Sequence, residues 1–123
     1  MYEWKKQIQI IVDEIDRCIK CYNDEALSLR ALSCRLGYSE YYTSRKFKEI
    51  SGIQFRNYLQ LRKLAFALKE VRDSQKNLLE VAFDYGFSSH EAFTRAFKET
   101  YGVTPSEYRK NPKPVVLRTK ISA

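Results

Sequence analysis

The sequence is poor in helix breakers and in the residues that build catalytic or metal sites. Only four glycines and three prolines occur in 123 residues. That suits helices joined by short turns better than strands and hairpins. A single histidine leaves little room for a serine or cysteine nucleophile paired with a histidine base. No phosphate-binding or dinucleotide-binding glycine motif is present. The chain therefore reads as a non-enzyme without a cofactor. Three cysteines do not make a disulfide framework. No apolar run approaches the roughly 20 residues that span a bilayer. Residues 1–6 lack the apolar stretch of a secretory signal. The expected location is the cytoplasm, with no membrane partner.

Hydrophobic residues make up 44% of the chain, enough for a core in one ordinary domain or two very small ones. Lys and Arg outnumber Asp and Glu by 22 to 15, a formal charge of +7. Such a balance favours a polyanionic partner, nucleic acid ahead of an anionic membrane. A merely solvated basic surface has the same composition, so charge alone does not decide.

The chain also repeats itself. At an offset of 50, Ser39, Arg45, Phe47, Lys48, Glu49, Gly52 and Tyr58 meet Ser89, Arg95, Phe97, Lys98, Glu99, Gly102 and Tyr108. One residue less of offset aligns Gly37-Tyr38 with Gly86-Phe87. All four glycines fall at paired positions, where a left-handed residue can close a helix. Each copy reads as helix, glycine turn, helix, glycine stop, the helix-turn-helix pattern.

Periodicity places the helices. Trp4, Ile8, Ile11, Ile15 and Ile19 form one stripe, predicting a helix over about 3–22. Ser28 can cap a helix whose Leu29, Leu32 and Leu36 face inward, and Ser39 can cap one running to about residue 50. Tyr58, Leu61, Leu64, Ala65 and Leu68 mark a long linker helix over about 54–72. Asn77 can cap a helix over 78–85 with Val81 and Ala82 inward. Ser88 or Ser89 can cap the next, to about residue 101, and residues 106–110 make a last short turn. The fold class is all-α: a first helix-turn-helix unit over about 1–52, the linker helix, and a second unit over about 76–110. The linker, at 1.5 Å per residue, spans roughly 25 Å. With the width of the flanking helices, that spacer can bring two helices to major-groove faces about 34 Å apart.

The second helix of each copy has two faces. Phe47 and Ile50 in the first, and Phe93, Phe97 and Tyr101 in the second, are core-like. The opposite faces carry Tyr41, Ser44, Arg45 and Lys48, and Glu91, Thr94, Arg95 and Lys98, with Glu40 and His90 at the helix starts. Arg can bind guanine with two hydrogen bonds; Ser, Thr and Glu can meet other base edges; Lys suits phosphate. Any amphipathic surface helix has a polar face. The return of Arg and Lys at matching positions in a basic chain tips the reading to double-stranded DNA. Of the aromatics, only Tyr41 looks free to meet DNA. Tyr38 and Phe87 are expected to pack in the turns.

The second copy runs Val81-Ala82, Gly86-Phe87-Ser88-Ser89, Phe93-Thr94-Arg95-Ala96-Phe97-Lys98, then Gly102-Val103-Thr104-Pro105-Ser106-Glu107-Tyr108-Arg109. The first matches more loosely through Gly37-Tyr38-Ser39 and Ser44-Arg45-Lys46-Phe47-Lys48. In these motifs the sequence resembles the AraC/XylS family of bacterial transcription regulators, over about residues 4–110. The resemblance implies a seven-helix fold of two helix-turn-helix subdomains joined by a long helix. It also implies an asymmetric DNA site bound by a monomer, and contacts to RNA polymerase. Thr43 and Lys46 stand where the family usually has aliphatic residues, so packing behind the first recognition helix is expected to be thinner. His90 and Glu91 are variable positions in the family, so the target sequence does not carry over.

Other readings stay open. The helix-turn-helix units could dock a protein instead of DNA. Cys18-Ile19-Lys20-Cys21 has the spacing of a redox pair or half a zinc site. A zinc site needs about four ligands. Cys34 and His90 are the only other cysteine or histidine residues, and His90 belongs to the other repeat. A small buried thiol at Cys18, and no metal, is the expectation. From Asn111 the chain changes character: Pro112 and Pro114 end the helix, and residues 115–121 read like an unpartnered strand. Residues 111–123 are expected to be a tail or the start of a C-terminal effector domain.

Overall fold

Each helix buries one stripe, and those stripes account for the architecture. The computed structural model describes residues 2–21, 27–112 and 114; the strand-like run at 115–121 lies outside them. In order come α1 (Tyr2–Lys20), α2 (Leu29–Leu36), α3 (Glu40–Ser51), α4 (Phe55–Asp73), α5 (Leu78–Asp84), α6 (His90–Tyr101) and α7 (Pro105–Lys110). No strand occurs among the described residues. Residues up to Arg62 form one compact unit and residues from Lys63 a second, the division falling inside α4.

The caps predicted from sequence are formed. Ser28, Ser39, Asn77 and Ser89 each accept a backbone N–H of the helix they open. The turn after α2 rests on Gly37, whose φ of 80° puts it in the left-handed region. Its N–H donates to the Cys34 carbonyl at 3.2 Å, and that of Tyr38 donates to the Ser33 carbonyl at 3.1 Å. Gly86 and Phe87 repeat the pattern against Phe83 and Ala82, at 3.1 and 2.9 Å. This is the Schellman closure, which spends two otherwise orphaned carbonyls and turns the chain sharply. α7 begins one residue earlier than expected. Thr104 and Glu107 form a reciprocal capping box with Pro105 in the first turn.

In the first unit, Ile8, Val12, Ile15, Phe47 and Tyr58 are wholly buried. The Phe47 ring meets Phe55 edge-on at 5.5 Å and lies 5.7 Å from Tyr58. Trp4 reaches from α1 to Tyr38 at 4.8 Å and Tyr42 at 5.4 Å, against the side of α3 that lacks a large apolar residue. Thr43 is wholly buried there, its hydroxyl donating to the Ser39 carbonyl at 2.9 Å. Lys46 is half-buried; its ammonium sits 5.6 Å from the Tyr42 ring and 3.3 Å from Glu49. The positions equivalent to Thr43 and Lys46 in the second unit are Phe93 and Ala96, both buried. Polar ties complete the first unit. Arg62 on α4 grips buried Asp16 on α1 through Nε at 3.0 Å and a second nitrogen at 2.8 Å. Glu14 on α1 accepts from Arg17 and, across to α2, from Arg35 at 2.5 Å. Those two guanidiniums, Arg17 first, hold its carboxyl at about 2. Its contribution is present above the ordinary carboxylate range and is lost as pH falls toward that value.

The second unit closes on aromatic rings. Phe87, Phe93, Phe97 and Tyr101 follow in contact at 5.2, 5.7 and 4.9 Å, and Tyr108 of α7 joins Phe97 at 5.9 Å. Glu70 of α4 accepts from the Tyr85 hydroxyl at 2.5 Å and pairs with Lys76 at 3.2 Å; Lys76 also pairs with Asp84. Arg109 donates to the Val71 carbonyl at 2.9 Å.

Among the described residues, the Ser33 hydroxyl is one of three buried side-chain polar atoms without a hydrogen-bond partner, beside one Asp84 oxygen and one Arg109 nitrogen. Ser33 lies in α2 and is 1% exposed. The other copy has Ala82 there, equally buried. Ser33→Ala is therefore expected to raise stability by about 1 kcal/mol, because it removes an unsatisfied hydroxyl and improves helix propensity. Urea denaturation checks it; a lower midpoint would mean that the hydroxyl is satisfied in solution.

Candidate nucleic-acid interface

Each recognition-type helix is held from two sides. Its start is fixed by the glycine turn and the serine cap: Ser39 accepts from the Tyr42 N–H at 3.1 Å, and Ser89 from the Ala92 N–H at 3.0 Å. Its end is closed by a left-handed glycine, Gly52 or Gly102, donating back to Lys48 or Lys98. Burial of Thr43 and Phe47 on α3, and of Phe93, Ala96 and Phe97 on α6, fixes the rotation of each helix. The opposite sides must then face solvent.

The residues singled out from sequence fall on those open sides. On α3, Glu40, Tyr41, Arg45 and Lys48 are exposed and Ser44 is half-exposed. On α6, His90, Glu91, Arg95 and Lys98 are exposed and Thr94 is half-exposed. Tyr41 is 75% exposed, with its ring available for stacking or apolar contact. Arg45 and Arg95 differ in one respect. Arg45 Nε lies 3.4 Å from Glu49, one turn along, whereas Arg95 makes no ion pair among the described residues. An exposed pair of this kind is worth about 0.3–0.5 kcal/mol, too little to keep Arg45 from a better acceptor.

The open side of α3 also walls a groove of about 970 Å³, which sequence reasoning missed. Leu27 before α2, Leu29 at its start, and Phe55, Arg56 and Leu59 of α4 contribute to it. Period-3.6 patterns assign faces within one helix; they do not reveal which residue of another helix stands across a gap. Tyr42 and Phe83 are further exposed aromatics, at 41% and 56%. Tyr42 is held against Trp4, whereas Phe83 forms an exposed apolar pair with Leu79 one turn away on α5.

The two cysteines of the C-x-x-C motif meet different surroundings. Cys18 is buried, which pushes its thiol up, while Cys21 is exposed. Among the described residues, no three His, Cys, Asp or Glu side chains gather as a metal site would require. No helix among them is long and apolar enough to cross a membrane.

Comparison with known proteins agrees with this geometry. Residues 32–111 match the model of a family described as a helix-turn-helix domain. The chain is 40% identical over 88 residues to the transposon Tn10 TetD protein of Escherichia coli, covering 72% of this chain and 64% of that one. It is 35% identical over 89 residues to the right origin-binding protein of Escherichia coli strain K12, covering 72% of this chain and 31% of that one. It therefore spans less than two thirds of the length of either relative. A solved structure, the C-terminal domain of the two-component response regulator yesN from Fusobacterium nucleatum, matches with a TM-score of 0.71. That match has 32% sequence identity and covers 85% of this chain and 96% of that one.

Proposed function

The chain belongs to the AraC-type helix-turn-helix family of transcription regulators, and from that premise we propose that it binds double-stranded DNA sequence-specifically, laying α3 and α6 in successive major grooves of an asymmetric site. The observation that carries the reading is the duplicated face. Arg45 with Lys48, and Arg95 with Lys98, stand exposed at equivalent positions of two helices whose opposite sides are buried. Arginine at such a place can meet the guanine O6 and N7 atoms, while lysine grips phosphate. In this reading the chain is a cytoplasmic, non-enzymatic regulator that needs no cofactor. It acts as a monomer on its site and contacts RNA polymerase. Residues 1–110 carry the DNA-binding function.

Binding of alanine variants to a library of single-base site variants tests the assignment. Arg45→Ala and Arg95→Ala are each expected to cost roughly 1–3 kcal/mol and to relax preference at one base. The two relaxed bases should lie about 10 base pairs apart. Arg95→Ala should cost more, because the Phe93 and Phe97 rings behind it give a firmer seat than Thr43 and Lys46 give Arg45. Lys48→Ala and Lys98→Ala should weaken all variants alike. If both arginine variants lose affinity uniformly, with no base relaxed, the arginines hold only the backbone and two-groove readout by them is wrong.

A further inference from the structure

The groove beside α3 is lined by residues of opposite character. Leu27, Leu29, Phe55 and Leu59 make it apolar, while Arg45, Lys48 and Arg56 line it with positive charge. The one acidic lining residue, Glu49, is already engaged by Arg45 at 3.4 Å and Lys46 at 3.3 Å. Lys48 and Arg56 are exposed and make no ion pair among the described residues. An apolar lining that also carries uncommitted cations matches a strand of DNA backbone, whose deoxyriboses are apolar and whose phosphates are anionic.

We propose that this groove is a seat for one DNA backbone segment, and that Arg56 is a phosphate-binding residue which, with Lys48, sets how the first unit sits on the duplex. The proposal rests on the DNA-binding reading and deepens it. Arg56 has no counterpart in the second copy, where the equivalent residue, second in α7, is Ser106. The grip therefore belongs to the first unit. It offers that unit affinity from the backbone where the packing behind α3 relies on Thr43 and Lys46 in place of Phe93 and Ala96. Its contribution carries no base information, since a phosphate is the same at every base pair.

The test is fluorescence titration of the whole chain with two labelled duplexes across a range of salt. One duplex is of mixed sequence; the other is a site selected from a random library. Arg56→Ala is expected to weaken both several-fold by the same factor. It should also make the slope of log affinity against log salt shallower by about one. Arg56→Lys should keep the slope. Lys69→Ala removes one exposed charge of α4 outside the groove and should leave the slope unchanged. Because Arg56 is exposed, its variants should unfold at the same temperature as the parent. If the unmodified chain binds with a salt-dependent affinity and Arg56→Ala matches it in affinity and slope, the seat is wrong while DNA binding stands. An equal slope change in Lys69→Ala would also overturn the proposal, since net charge would explain both. If the unmodified chain binds neither duplex, the DNA-binding reading itself falls.

Discussion

Arg62→Ala is expected to destabilise the first unit by about 3–5 kcal/mol, a large part of the 5–15 kcal/mol typical of a small domain. Asp16 is only 7% exposed, and its carboxylate is gripped by two nitrogens of Arg62 at 3.0 and 2.8 Å. Both side chains of the pair are largely shielded, at 10% and 12% exposure. Taking the guanidinium away leaves a buried carboxylate with its charge uncompensated. The penalty comes from that stranded charge more than from the attraction lost. It follows that Asp16→Leu with Arg62→Leu should recover most of the stability, because neither charge is then buried alone. Urea denaturation of the two variants separates these effects. A loss below about 1 kcal/mol for Arg62→Ala would show that Asp16 stays hydrated and that the pair ties α1 to α4 only weakly.

That pair also marks where sequence reading stops. Asp16 lies one helical turn after Val12 and two after Ile8, on the buried stripe of α1. A carboxylate there signals a partner, but periodicity gives the face of a helix and not the residue across from it; Arg62 is 46 positions away. The same holds for Glu14 with Arg35, and for Arg56 across the groove from α3. By contrast, the exposed faces of α3 and α6 were legible because two copies of one unit keep Arg and Lys at matching positions. The caps were legible because serine before an apolar run has one local job. The earlier start of α7 could have been read as well, since Thr104-Pro105-Ser106-Glu107 spells a capping box with proline in the first turn. Trp4 was visible as a core residue, yet its role against Tyr38 and Tyr42, beside Thr43, depends on how α1 lies on α3.

Raising the salt concentration fourfold, from about 50 to about 200 mM, is expected to weaken DNA binding by on the order of a thousandfold if about six phosphates are neutralised. The chain carries a net charge of +7, and Arg45, Lys48, Arg56, Arg95 and Lys98 are all exposed. Among the described residues, only Arg45 of these five is engaged in an ion pair, and at 3.4 Å on the surface that pair is weak. These cations are therefore available to displace the counterions condensed on the duplex, and the release of those ions drives association less strongly as bulk salt rises. A slope of log affinity against log salt near −5 is the expected measurement, obtained by titrating a mixed-sequence duplex and a selected site in parallel. The two slopes should be similar, while the ratio of the two affinities should change far less than either affinity, because base contacts release few ions. A flat response on both duplexes would mean that the basic faces of α3 and α6 do not meet phosphate. The helix-turn-helix units would then be read as docking surfaces for a protein, with the exposed Leu79 and Phe83 of α5 as the first place to look for its contact.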